Sequence, residues 1–199
     1  MINKTKITVV GSGYVGMSLA ALLSQNNEVT VLDIDSARVD KINNKLSTVA
    51  DAEIELFLSE KDLCITATTD KKIAYEGASF VIVATPTNYD SDTNQFDTSS
   101  VETVIAQVIK NEPSACIVVK STIPVGFIDS ISKRLCTNSV IFSPEFLREG
   151  RALHDNLYPS RIVVGEKSRR AKIFSELLAQ GALKKEIEVL HTGAREAEA

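Results

Sequence analysis

Eight short apolar runs punctuate the chain, with polar, helix-prone stretches between them, and this alternation constrains the fold more than any other feature. The runs are residues 7–10, 29–32, 64–67, 80–84, 116–119, 140–142, 161–164 and 187–190. Most are continuous rather than alternating with polar residues. A strand exposed on one face alternates, whereas one covered on both faces, as in a parallel sheet, does not. The intervening segments carry helical stripes. Val15, Leu19, Leu22 and Leu23 share one face, and Val101, Val104, Ile105 and Val108 share another. Residues 36–44 hold Val39 and Ile42 among charges, and Ile128, Ile131 and Leu135 mark a further helix. Ser99 or Ser100 is placed to cap the helix that follows it; Ser168 is placed to cap the one ended by Gly181. Strand–helix alternation with right-handed crossovers predicts an α/β fold. It is a doubly wound, Rossmann-like and mainly parallel sheet with helices on both faces, and extra strands near the C-terminus. The predicted units are residues 1–191 as that domain and residues 192–199 as the start of a helix leading elsewhere.

At 199 residues the chain is long enough to bury roughly 70% of its unfolded surface without disulfides or metal. Basic residues number 22 and acidic ones 26, a balance that argues against general nucleic-acid binding. The longest apolar run falls far short of the ~20 residues of a membrane span, and the N-terminus lacks a signal peptide's apolar stretch. A cytoplasmic protein that binds neither membrane nor nucleic acid is expected. Cys64, Cys116 and Cys136 make an odd number without CxxC spacing and read as buried free thiols. His154 and His191 have no partners at metal spacing, so no metal site is expected. Tyr158, before Pro159, is expected to pack, although residues 156–161 are polar enough to line a pocket.

Gly11-Ser12-Gly13-Tyr14-Val15-Gly16 follows the first run and opens a helix. In that context a GxGxxG loop holds a dinucleotide. Gly11 permits the tight turn, Gly13 lets backbone approach the pyrophosphate, and Gly16 lets helix pack on sheet. The helix start adds unpaired N–H groups and partial positive charge. Asp33 ends the second run, 22 residues after Gly11, placed for an adenosine ribose and repelling a 2′-phosphate. NAD is therefore expected over NADP, although Arg38 offers a guanidinium on the next helix. FAD or a nucleotide sugar are the other occupants for this slot.

Three polar loops follow later strands and should reach the same crevice: Ala84-Thr85-Pro86-Thr87-Asn88, Lys120-Ser121-Thr122-Ile123-Pro124-Val125-Gly126, and residues 143–150, SPEFLREG. Thr87 and Thr122 are hydroxyls able to bind cofactor or position a water. Glu145 and Glu149, four apart, would share one face if that stretch were helical. A carboxylate in a partly dry site can serve as acid or base. Equally, Glu145 after a proline suits an ordinary helix start. Arg148 reads as a structural ion pair or a phosphate contact.

From Lys6 to Ala199 the motifs GSGYVG, VLDID, VATPTNYD, FDTSSVETVI, KSTIPVGF, FSPEFLREGRALHDNLYPSRIVVGE and the terminal EAEA jointly resemble the UDP-glucose 6-dehydrogenase family of nucleotide-sugar dehydrogenases. The resemblance implies oxidation of the C6 alcohol of UDP-glucose to a carboxylate with two NAD, through a thiohemiacetal and a thioester on a cysteine. Matched residue by residue, it implies that Gly11, Gly13, Tyr14, Val15, Gly16, Asp33, Arg38, Thr87, Thr122 and Glu149 contact NAD. Glu145, Phe146, Leu147, Arg148 and Glu149 would line the UDP-sugar site, with Thr122, Glu145 and Glu149 catalytic. The family's nucleophilic cysteine, in a Gly-rich loop, and its active-site lysine and asparagine have no match here. The expectation is thus a cut chain that binds NAD without turnover, from a protein that dimerises through a region this chain lacks. A relative acting on GDP-mannose or a UDP-N-acetylhexosamine, and a non-catalytic NAD-sensing module, are the alternatives.

Overall fold

The computed structural model describes residues 4–90 and 95–199. The first three residues, part of the N-terminus read above for a signal, lie outside them. In chain order the elements are β1 (Lys6–Val10), α1 (Tyr14–Ser24), β2 (Glu28–Leu32), α2 (Ser36–Asn43), α3 (Ala52–Glu60), β3 (Ile65–Thr68), α4 (Lys71–Tyr75), β4 (Phe80–Val83), β5 (Asn88–Asp90) and β6 (Gln95–Asp97). There follow α5 (Ser99–Asn111), β7 (Cys116–Val119), α6 (Phe127–Arg134), β8 (Val140–Phe142), α7 (Ala152–Leu157), β9 (Arg161–Val164), α8 (Arg169–Gly181), β10 (Glu188–His191) and α9 (Ala194–Glu198).

Every one of the eight apolar runs lies on a strand. Six form one parallel sheet in the order β3-β2-β1-β4-β7-β8, with Val9 opposite Val31 on one side and Ile82 on the other. The order reverses at β1, so the crevice beyond the carboxyl ends of β1 and β4 is the switch point where such sheets take ligands. The predicted extra strands are β9 and β10, a separate parallel pair joined to β8 where the Gly165 N–H donates to the Phe142 carbonyl. The antiparallel pair β5–β6 was not expected.

The continuous runs have the predicted cause. Ile7 and Val9 of β1 enter a core shared with α1, α3, α7 and α8, while Val10 enters a second core shared with α4, α5, α6 and α9. Thr8 lies between them, and its hydroxyl is satisfied by the Ala74 carbonyl. Tyr75 is fully buried and its hydroxyl has no partner among the described residues; burial pushes its pKa up to about 12. Removing an unpaired buried hydroxyl costs no hydrogen bond. Tyr75→Phe is therefore expected to leave the urea midpoint unchanged or raise it, by up to ~1 kcal/mol; a clear fall would show an unseen partner.

Two caps differ from expectation. α5 begins after Thr98, whose hydroxyl bonds Glu102, while Asp97 accepts from the Ser99 N–H. Ser100 instead ties the helix to the loop after β4, donating to Thr85 Oγ1 and the Pro86 carbonyl. Gly181 does close α8, but its reason is packing: a Cβ there would meet the Leu22 side chain at 2.7 Å. Ser168 caps α8 as expected, accepting from the Ala171 N–H. The segment at residues 192–199 docks on this same domain. Ala197 is buried, Arg195 reaches Asp129, and Glu198 accepts from the N–H groups of Gly126 and Ile128 at the start of α6. Among the described residues no helix is long and apolar enough to cross a membrane.

Candidate functional site

The three glycines of the first loop are glycine for different reasons. Gly11 holds a φ of +99°, and a Cβ there would sit 2.6 Å from the Ala84 carbonyl oxygen. At Gly16 a Cβ would meet the Gly11 carbonyl oxygen at 1.9 Å. Both are demanded by the protein's own packing. Around Gly13 no protein atom lies within 4 Å of where a Cβ would be, and its φ of −76° suits any residue. Neither folding nor packing requires glycine there, and the backbone is left open to approach. Gly13 is also the N-cap of α1, with no side-chain cap and no acid in the first turn. Uncapped N–H groups with an open approach match a diphosphate. Tyr14 and Val15 are half-buried in that first turn.

Asp33 stands beside the loop with structural work of its own. Its carboxylate accepts from the Ser12 N–H at 2.9 Å, from the Ser12 hydroxyl, and from the Asp35 N–H at 3.0 Å. Ser12 is pinned from the other side by the Thr48 hydroxyl, which donates to its carbonyl. Arg38 lies exposed on α2, near Asp35 at 3.8 Å. Ile34, next to Asp33, is 96% exposed. Sequence reasoning passed over it. An isolated apolar residue at a strand end gives no signal until the fold leaves it bare beside Asp33.

The three later loops do converge on this edge. Ser121 stitches two of them, donating to the carbonyls of Thr85 (2.6 Å) and Val83 (3.3 Å). Thr87 is half-buried and Thr122 exposed at the mouth. Gly126 takes a φ of +90° as the loop turns into α6.

Residues 143–148 are not helical, which corrects the picture of two glutamates on one helix face and of Glu145 as a helix start. α7 begins only at Ala152. The non-helical path separates the two carboxylates: Glu145 turns inward, with Oε2 shielded and unpartnered among the described residues, while Glu149 is exposed. Burial pushes the Glu145 pKa up to about 7, against the opposing pull of Lys120. Lys120, directly after β7, is 6% exposed, and burial pulls its pKa down to about 8 although Glu145 acts the other way. Its ammonium donates to the Pro144 carbonyl at 2.9 Å. Lys120 was missed in the sequence because a lysine ending a strand usually reaches water. The signal lay in the apolar run before it.

Arg148 is an ion pair, one of its two expected readings. It grips Asp155 of α7 through Nε (3.1 Å), its terminal nitrogen (2.6 Å) and its own N–H (2.9 Å). These bonds hold the Asp155 carboxyl below its usual range. Phe146 is exposed beneath the Arg161 guanidinium, 5.5 Å from its ring centre, and Leu147 is half-buried. A cavity of about 40 Å³ lies under this loop.

The thiols lie away from the crevice. Cys116 opens β7 and Cys64 precedes β3, both at the amino ends of strands; Cys136 follows α6. Only Cys116 is buried, with its pKa pushed up to about 12 by desolvation. Cys64 is half-buried and Cys136 exposed, which corrects the expectation of three buried thiols. His154 bonds Glu53 at 3.0 Å and His191 bonds Ser175 at 3.2 Å. Tyr158 packs its ring on His154 yet stays half exposed. Among the described residues no group of three His, Cys, Asp or Glu is placed to hold a metal.

Residues 5–181 match the sequence model of the UDP-glucose/GDP-mannose dehydrogenase family, NAD binding domain. A UDP-glucose 6-dehydrogenase of Streptococcus pneumoniae is 49% identical over 97% of this chain and 50% of its own length. One of Campylobacter jejuni is 42% identical over 97% of this chain and 50% of its own. Among solved structures, a UDP-glucose dehydrogenase from the archaeon Pyrobaculum islandicum superposes with a TM-score of 0.86 at 25% identity, covering 98% of this chain and 48% of that one. The chain spans about half the length of the curated relatives it matches. With its glycine loop, switch-point crevice and matched residues 5–181, the chain belongs to the UDP-glucose/GDP-mannose dehydrogenase family and carries that family's NAD-binding domain.

Proposed function

We propose that this domain serves a UDP-glucose 6-dehydrogenase, holding NAD at the switch point with Glu145 as the proton-transfer group beside it. The observation that carries the cofactor half of the reading is Gly13, a glycine that the protein's own packing does not need. The backbone of Gly11–Gly16 and the start of α1 would hold the diphosphate. Asp33 would accept from the adenosine ribose hydroxyls, with Ile34 and Arg38 flanking the base. Thr87, Thr122 and Glu149 would contact the nicotinamide end. NAD, when bound, supplies the acceptor for hydride from the substrate's alcohol carbon. Glu145 is buried enough to exchange a proton near neutral pH, and Thr122 would orient a water. Residues 145–149 would face the sugar nucleotide, with Phe146 presenting its ring.

The family's chemistry also needs a cysteine nucleophile. The three described thiols stand at the wrong edge of the sheet to serve, so the 199-residue chain is read as binding NAD without forming UDP-glucuronate.

Calorimetric titration of this chain with NAD tests the reading, with Asp33→Ala as the comparison. Losing charge-assisted hydrogen bonds costs ~1.5–3 kcal/mol, about a 10- to 150-fold weaker NAD affinity. Discrimination against NADP should relax as the negative charge goes. Because Asp33 also ties Ser12, part of the loss will come from a looser glycine loop. Unchanged NAD affinity in Asp33→Ala would place the ribose elsewhere, and absence of binding by the parent chain would sink the cofactor assignment.

A further inference from the structure

Lys120 follows β7 and Glu145 lies in the loop after β8, and both line the small cavity under that loop. The lysine is more than nine-tenths buried. Its ammonium reaches the Pro144 carbonyl at 2.9 Å and the Ser143 hydroxyl at 3.4 Å. Ser143 in turn donates to the Val163 carbonyl of β9 at 2.7 Å. One buried cation thus fastens three adjacent strand ends, at the residues immediately before Glu145. Nothing in a Rossmann-type sheet requires a charge there. An apolar side chain would fill the same space without the desolvation cost of an ammonium.

We propose that Lys120 is the positioning residue of this site: it ties residues 143–144 in the non-helical path that turns Glu145 inward, and it is the buried countercharge in the cavity that Glu145 shares. This rests on the reading of Glu145 as the proton-transfer group. The other charged groups around the cavity are engaged elsewhere. Asp155 of α7 is gripped by Arg148, and Arg161 of β9 lies over the Phe146 ring. Glu145 itself carries an oxygen without a hydrogen-bond partner among the described residues, so the nearby ammonium is what opposes its desolvation. Coupled groups shift one another reciprocally. Removing the lysine charge must raise the Glu145 midpoint, and removing the carboxylate charge must lower that of Lys120.

Carbon-13 NMR titration of this chain, labelled at glutamate Cδ and lysine Cε, reads both directions without any turnover. Glu145→Gln identifies the glutamate signal by its loss. In that near-isosteric variant the Lys120 midpoint is expected to fall from its parent value by ~1 pH unit or more. In Lys120→Met the Glu145 midpoint is expected to rise by a similar amount, and Lys120→Arg should restore it. A Lys120 midpoint in Glu145→Gln equal to that of the parent overturns the proposal, whether or not Lys120→Met folds. A merely structural lysine would lower stability on substitution and leave these midpoints unmoved. Calorimetry with NAD on the unmodified chain separates the two readings. If NAD fails to bind while the midpoints shift as expected, the cofactor assignment falls and the Lys120–Glu145 couple stands.

Discussion

A Gly13→Ala chain is expected to melt close to its parent and to bind NAD about 10- to 100-fold more weakly. The stability half follows from open space and ordinary backbone: no atom lies within 4 Å of the added methyl, and φ is −76°. Alanine is a poorer N-cap than glycine, which limits the loss to ~1 kcal/mol. The affinity half follows from the same space being where the diphosphate approaches the backbone. Overpacking a close contact costs ~1–3 kcal/mol, which sets the range. Gly16→Ala should behave in the opposite order. Its methyl would lie 1.9 Å from the Gly11 carbonyl oxygen, and the collision is with backbone, which cannot swing aside. That chain should lose on the order of 3 kcal/mol of stability or fail to fold, before NAD is considered. Thermal melts paired with NAD calorimetry on the two variants decide the matter. Parent-like NAD affinity in Gly13→Ala would remove the diphosphate from this loop.

The second large effect concerns Glu145→Gln in a full-length enzyme that carries this domain. Loss of a positioned acid–base group costs ~10²–10⁴-fold in the step it serves. The product-releasing hydrolysis should slow by that much, and the first hydride transfer by less. Burial pushes the Glu145 pKa up to about 7. A base acts as the carboxylate, so the hydrolytic rate should rise with pH through that value and lose the limb in the glutamine variant. Rapid-quench measurement of the two steps across pH checks both statements. Equal slowing of both steps, with an unchanged pH profile, would instead make Glu145 a binding or folding residue.

How much was legible can be seen at particular residues. The inner strands were readable because a strand buried on both faces leaves an unbroken apolar run, as Phe80–Val83 does, while β3, β9 and β10 kept apolar runs although part of each is exposed. β5 and β6 were not, because Asn-Tyr-Asp and Gln-Phe-Asp carry little apolar signal and owe their pairing to each other. α3 could have been found: Asp51 caps it, and Ile54, Phe57 and Leu58 share its buried face. α7 could not, since it lacks a side-chain cap and is held by Asp155–Arg148 and by packing on α1.

The glycine loop, Asp33 and the three polar loops could be named from residue order alone, because local geometry dictates them. A tight turn needs glycine wherever the chain folds, and a strand end carries its acid with it. The difference among the glycines could not be so read. Whether a missing Cβ faces backbone or empty space depends on Ala84 and Gly11, brought there by the sheet. The fate of the two glutamates was likewise tertiary. Four residues apart, they could share a helix face. The stretch at 143–148 is not helical, the buried ammonium of Lys120, 24 residues before Pro144, ties its backbone, and Glu145 turns inward while Glu149 is left to solvent. Patterns along a chain record which surfaces are covered; which charges meet once they are covered is decided by the packing of distant strands.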